Sequence, residues 1–280
     1  MKRPLSGRPP KLKTPDGACD THIHIYDPRY PVVPGTPMPG AASVEDYRQL
    51  MGWLGLERVV VVQPNAYGDD NRCTMESVAA LGPRARAVVV VKPGVPDEEM
   101  ATLTRSGARG IRFMSLLGGA LSWNEMDEMG RRAHDHGWHA LVQLNGRDLP
   151  QRATQIAKLP GRFVIDHIGK FIDPVPTGHE SFLALLRLLD TGRCYVKLAG
   201  AYEFSKSGPP HFQDVAALAK ALIRHAPDRM IWGSNWPHAQ ADKVGYPDDV
   251  NNLDLLADWT EDESVRQKIL VGNPAALYGF

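Results

Sequence analysis

The chain has 280 residues, 43% hydrophobic and 23% charged, the make-up of an ordinary soluble globular protein with room for one large domain or two small ones. Its 32 Lys+Arg balance its 32 Asp+Glu and no basic block stands out, which excludes a nucleic-acid or anionic-membrane surface carried by net charge. No run approaches the roughly 18 apolar residues of a membrane span, and three scattered cysteines (Cys19, Cys73, Cys194) suit a reduced chain rather than a disulfide framework.

The basic, proline-rich segment 1–15 has no apolar core of the kind a secretory signal needs. It is expected to be a flexible leader on a cytoplasmic protein. From residue 16 to residue 280 one theme repeats, a β-branched run, a polar loop, then a helical pattern. The runs are ACDTHIHI from Ala18, RVVVVQ from Arg58, ARAVVVVK from Ala85, GIRFM from Gly110, HALVQL from His139, FVIDHIG from Phe163, CYVKLAG from Cys194 and MIWGSNW from Met230. Between them, segments such as VEDYRQLMGWLG from Val44 and FQDVAALAKALIRHA from Phe212 repeat apolar residues at three- and four-residue spacing. Eight strands alternating with helices predict parallel pairing and closure into a single-domain (β/α)8 TIM barrel. A doubly wound open sheet is the rival, but no glycine-rich dinucleotide fingerprint follows the first strand.

Side chains alternate faces along a strand. That places Asp20, His22 and His24 on one face, Arg112 with Gly110 and Met114, and Lys197 with Tyr195 and Ala199, each polar set pointing inward. The C-terminal strand ends collect His24, Gln63, Lys92, Arg112, Gln143, His167, Lys197 and Asn235, at the end of the barrel where active sites of this fold are built. Arg112 and Lys197 lie among apolar neighbours, so each is expected to meet a bound anion or a barrel carboxylate. His22 and His24, two apart on one strand, could hold a divalent metal with His167 joining across the lumen. Hydrogen-bonded core histidines would read the same way. His134, His136 and His139 fall away from the mouth, and Trp232 and Trp236 are expected to pack against helices.

The segments DTHIHIYD, GARGIRFM, VIDHIGKF and WGSNWPH resemble the strand-end motifs of the amidohydrolase superfamily. More narrowly they are similar to the branch containing the 2-pyrone-4,6-dicarboxylate lactonases and the galactarolactone isomerases, over about Asp16 to Phe280. In that branch the eighth strand usually carries an Asp that activates water; here Asn235 stands in its place, and a carboxamide has no usable base near neutral pH. The resemblance therefore implies isomerisation of a sugar-acid (aldaric) lactone, 1,5 to 1,4, by internal acyl transfer. It also implies that no cofactor is required, since members of the branch work without a metal. His22, His24, His167 and Asn235 become the candidate catalytic residues. Arg112, Lys197, Lys170, Tyr30 and Tyr202 become candidate contacts to a small anionic lactone, with the loop YDPRYPVVPGTPMPG as a wall over the pocket. A lactone hydrolase, metal-assisted or not, and a non-catalytic sugar-acid binding protein are the alternatives. Neither nucleic acid nor membrane is expected as a partner, and homo-oligomerisation is left open.

Overall fold

The computed structural model describes residues 3–36, 38–116, 119–239 and 245–280. Eight parallel strands pair in chain order: β1 Cys19–Ile23, β2 Arg58–Val62, β3 Ala85–Val89, β4 Ala108–Met114, β5 His139–Gln143, β6 Phe163–Ile165, β7 Cys194–Leu198 and β8 Met230–Trp232. A parallel bridge between Ile23, the last residue of β1, and Trp236, beyond β8, closes the ring, with Asn235 N donating to His22 O at 2.9 Å and His24 N to Trp236 O at 2.8 Å. The helices α1 Val44–Leu54, α2 Arg72–Leu81, α3 Asp97–Arg105, α4 Met126–Asp135, α5 Leu149–Ala157, α6 Glu180–Asp190, α7 Gln213–His225 and α8 Asp249–Trp259 surround it. The molecule is thus a single (β/α)8 TIM barrel. No helix among the described residues is long and apolar enough to cross a membrane.

Local chemistry sets the element ends. Ser43 and Asp46 form a reciprocal capping box at the start of α1, each side chain accepting from the other's backbone N–H at 3.0 Å. Gly55 ends the helix in the left-handed region at φ 71°, where a Cβ would be strained. At the opposite end of the barrel from the strand termini, Arg193 donates to the carbonyls of Ala157, Leu159 and Gly161, groups left unpaired where α5 stops. Arg109, Arg162 and Arg229, at the starts of β4, β6 and β8, donate to the carbonyls of Thr104, Ala276 and Gly192. This is a stability face.

Two apolar layers result. Inside the ring, Cys19, Val60, Val62, Val88, Leu141, Val164, Tyr195 and Ile231 fill the lumen, and Leu277 and Tyr278 from the closing C-terminal helix cap it from below. The outer faces of the strands pack against the helices in the larger cluster, which includes Trp232 and Trp236. Trp236 lies 5.4 Å from Tyr47 of α1, ring to ring. Residues 3–15, expected as a flexible leader, lie along the barrel: Lys11 N and Leu12 N donate to Asp254 at 2.8 and 3.0 Å, and Trp53 donates to Arg8 O at 2.9 Å.

The strand parity holds for β4 and β7 and breaks in β1. The register between β1 and β2 shifts between Asp20 and Ile23, so Cys19 faces the lumen and Asp20 faces out. There Asp20 accepts from the Tyr47 hydroxyl and from Ser234 N. A bulge inserts one residue into the alternation and sends the preceding side chain to the other face. The inward placement of Asp20 is therefore corrected.

The filled lumen makes a stability prediction. A Cβ on Gly110 would sit 2.7 Å from the buried His139 ring, itself held edge-on against Tyr278 at 5.0 Å. Gly110→Ala should lower stability by about 1–3 kcal/mol through overpacking, read as a drop in the thermal midpoint. An unchanged midpoint would mean the lumen has slack at that level.

Candidate active site

A cavity of about 220 Å³ opens at the C-terminal end of the barrel. Its walls come from every strand end except that of β3, and include His24, Tyr26, Arg112, Gln143, His167, Lys170, Glu203 and Asn235. Gly35 and Thr36 of the proline-rich loop form part of the rim. Lys92, after β3, pairs instead with Asp69 at the surface (3.0 Å), and Gln63 is consumed bracing its own loop through Gly68 O, Asp70 O and Thr74.

The turn after β6 winds left-handed through His167 (φ 49°), Ile168 (φ 55°) and Lys170 (φ 44°), a conformation that L-residues adopt only at a cost and that clusters at functional sites. It brings His167 and Lys170 together at the mouth. Asn235 is left-handed as well (φ 63°), at the turn where the chain leaves β8.

Hydrogen bonds fix the protons of the first histidine pair. His24 Nδ1 lies 2.7 Å from Val62 O, which can only accept, so Nδ1 carries the proton and Nε2 is a bare lone pair. His22 Nε2, 3.3 Å from that lone pair, is then the donor. Behind it Lys197 Nζ donates to Thr21 O at 2.7 Å and to His22 Nδ1 at 3.2 Å. Burial pushes both imidazoles down, His22 well below its ordinary range and His24 to about 3 with help from Arg112, so both are neutral. Lys197 is pulled to about 8 by burial, against the attraction of Asp166. Lys197, the fourth of the five residues of β7, is wholly buried behind His22 and is not among the residues that line the cavity.

Asp166, beside His167, is the carboxylate expected near Lys197. Burial pushes its carboxyl up, but His167, His22 and Lys197 together hold it well below the usual range. Neither of its oxygens has a hydrogen-bond partner among the described residues. His22, Asp166 and His167 offer ligand atoms within 4.8 Å of one another, a group that could hold a metal ion. An orphaned buried carboxylate between two imidazoles fits a cation in donor chemistry. His24 is not in this group, because its nitrogens point to Val62 O and to His22. The ligand set differs from the expected three histidines in that respect.

Arg112 donates to Gln63 O at 2.6 Å and to Gln143 Oε1 at 2.7 Å, while its Nε has no partner among the described residues. Lys170 forms an ion pair with Glu203. Asn235 Nδ2 donates to Tyr202 Oη at 2.7 Å and to Glu203 Oε1 at 2.9 Å. Tyr202 reaches His238 (2.9 Å), and His238 reaches Asp249 (2.8 Å). Tyr30 lies elsewhere, its hydroxyl on Glu76 in a separate surface groove. Sequence reasoning missed Asp166, Glu203, His238 and Asp249. The first stands inside VIDHIG and the third inside WGSNWPH, so both carried a signal; the other two sit in a loop and a helix start without one.

Glu203 is the carboxylate nearest the cavity. Burial pushes it up, but Lys170, His167 and the bonds from Lys170 and Asn235 hold it at about 2. A depressed carboxyl stabilises the fold above its unfolded pKa of about 4.3, and the stabilisation is lost as pH falls through the folded value. Stability should therefore decline between about pH 4.5 and 2, by up to roughly 3 kcal/mol from this group. Denaturant melts of wild type and Glu203→Gln across that window check it; equal acid slopes would remove Glu203 as the source.

The pattern of the amidohydrolase family matches residues 19–280. The chain is 42% identical to the D-galactarolactone isomerase of Agrobacterium fabrum, over 99% of its length and 96% of that protein's. It is 31% identical to a 2-pyrone-4,6-dicarboxylate hydrolase of Comamonas testosteroni, over 96% and 92% of the two. An apo crystal structure from Agrobacterium tumefaciens superposes with a TM-score of 0.95 at 41% identity, covering 99% of each chain. A family pattern spanning the whole barrel and an end-to-end relative at this identity settle the lineage: the chain belongs to the amidohydrolase family.

Proposed function

We propose that the protein isomerises an aldaric-acid lactone, converting a 1,5-lactone to the 1,4-lactone by internal acyl transfer. The observation that carries this is the state of residue 235. It is an amide whose nitrogen is bound to Tyr202 and Glu203, so no free base stands where water would be activated. Glu203 does not replace it, since its two oxygens are held by Asn235 and Lys170. A hydroxyl already on the substrate needs less activation than water, because tethering supplies much of the advantage.

His167 takes the proton from the attacking hydroxyl and returns it to the departing ring oxygen. It lines the cavity, and burial lowers its basicity against the pull of Asp166. Positive charge for the developing oxyanion comes from the Lys197 ammonium behind the neutral His22–His24 pair, whose own N–H groups are both engaged. Arg112 and Lys170 receive the substrate carboxylate. We assign no required metal: the His22 nitrogen nearest Asp166 (3.2 Å) already accepts from Lys197. An ion held by His22, Asp166 and His167 would polarise a carbonyl or a water and would favour hydrolysis. That group and the hydrolase relative support lactone hydrolysis as the second reading. The buried free cysteines suit a reducing compartment, the cytoplasm, and the balanced charge suits a small-molecule substrate rather than nucleic acid or membrane.

Protein purified without added metal, checked by elemental analysis, should turn D-galactaro-1,5-lactone into the 1,4-lactone before free acid appears, followed by proton NMR. Free acid forming first would sink isomerisation, and tight binding with no turnover would sink both enzymatic readings. Arg112→Ala should raise KM at least about tenfold for carboxylate-bearing lactones, as loss of a charged hydrogen bond does, and much less for an uncharged lactone. Equal effects on the two would remove its anchoring role.

A further inference from the structure

Asn235 does not hang free in the mouth. Asp249, first residue of α8, lies 2.8 Å from His238 Nε2; a carboxylate only accepts, so that nitrogen carries the ring proton. His238 Nδ1 is then a lone pair, and the Tyr202 hydroxyl 2.9 Å away must donate to it. With its proton committed, the Tyr202 oxygen accepts from Asn235 Nδ2 at 2.7 Å. Glu203 Oε1, 2.9 Å from the same nitrogen, accepts the second amide proton. Exchanging O and N in the amide would set its oxygen against a carboxylate on one side and a spent hydroxyl on the other. The amide has one orientation: its nitrogen is saturated by the protein, and its oxygen takes no hydrogen bond among the described residues.

We propose that Glu203, with the Asp249–His238–Tyr202 chain, is the element that decides the reaction, by holding residue 235 as an amide with its oxygen toward substrate and by forbidding a carboxylate there. Asn235 Oδ1 then accepts from the attacking substrate hydroxyl in the bound complex and aims it, and the same proton passes to His167 as the oxygen attacks. An Asp at this position would face Glu203 oxygen to oxygen where a hydrogen bond now runs. Two carboxylates that close do not both ionise, so the substitution alone supplies an acid rather than a base. Tyr202, His238, Asp249 and Glu203 are positioning residues in this scheme, acting through Asn235. Lys170 is the cation that faces Glu203, and His167 adds to its stabilisation.

The assay rests on the lactone-isomerase reading, and a second measurement does not. Wild type, Asn235→Asp, Glu203→Gln and the double variant are each given D-galactaro-1,5-lactone near neutral pH. NMR then follows the ratio of free acid, formed when water adds across the ester bond, to 1,4-lactone. Asn235→Asp alone should change that ratio by less than about tenfold. The double variant should raise it at least about tenfold beyond the product of the two single effects, as coupling of more than one pK unit between carboxyl groups requires. A ratio in the double equal to that product, or Asn235→Asp alone matching the double, overturns the proposal. Independently, 15N NMR of the histidines should show His238 protonated at Nε2 and bare at Nδ1; the reverse tautomer overturns the chain even if the wild type makes no 1,4-lactone and the isomerase reading has failed. Tyr202→Phe should lower kcat about tenfold with KM nearly unchanged, as expected when a group that orients the reacting atoms is loosened; a change in thermal midpoint alone, with kcat intact, counts against it.

Discussion

Carboxylates accept hydrogen bonds and never donate them, and three buried carboxylates dictate where protons sit across this barrel mouth. Asp166 lies beneath the histidines, Glu203 beside Asn235, and Asp249 at the start of α8. Each has a cation or a donor nearby: Lys197 for the first, Lys170 and the amide for the second, His238 for the third. Removing one member of such a set leaves a buried charge without compensation, typically 3–5 kcal/mol of damage. Rotamers and tautomers here are therefore determined rather than chosen. The strain stored in the left-handed turn at His167 to Lys170 is held by the same contacts, since Lys170 is anchored to Glu203 across the gap.

That determinacy bears on the metal question. The His22–Asp166–His167 group has the donor chemistry of a cation site, yet a cation already approaches it: the Lys197 ammonium, rooted on β7 and seated against His22 Nδ1. An ammonium supplies one positive charge without a Lewis-acid coordination sphere, and it directs the His22 proton toward His24. Stabilising a developing oxyanion needs charge and a donor; generating hydroxide from water needs considerably more.

Much of the fold was legible because hydrophobic periodicity is a local signal. Every strand run from Ala18 to Trp236 marked a real strand, and the inward sets of β4 and β7 were read correctly. Asp20 was misread because a bulge is set by pairing between strands, which no single run records. His22, His24, His167 and Asn235 could be placed at strand ends from sequence, since strand ends converge by topology. Depth could not: Lys197 carries the same inward parity as Arg112, and only the ring's stagger separates a residue behind the histidines from one in the mouth. Glu203 and Asp249 lie in a loop and at a helix start, where function depends on distance across the barrel rather than on any period. Tyr30 shared that loop chemistry and went elsewhere.

The arrangement also explains why an amide is compatible with turnover at all. In internal acyl transfer the proton leaves one substrate hydroxyl and ends on another oxygen of the same molecule, so no net proton is exchanged with solvent. In the proposed isomerisation a single neutral imidazole near the reacting oxygens suffices as shuttle, and His167 is the cavity-lining histidine outside the His22–His24 pair. His22 and His24 have every nitrogen engaged, and Glu203 is neutralised by Lys170 and Asn235. A pocket so furnished gives a tethered hydroxyl an acceptor, a shuttle and positive charge, while leaving a bound water without a strong base. In the proposed isomerisation, selectivity against hydrolysis comes from the commitment of hydrogen bonds already made inside the protein, rather than from steric exclusion of water.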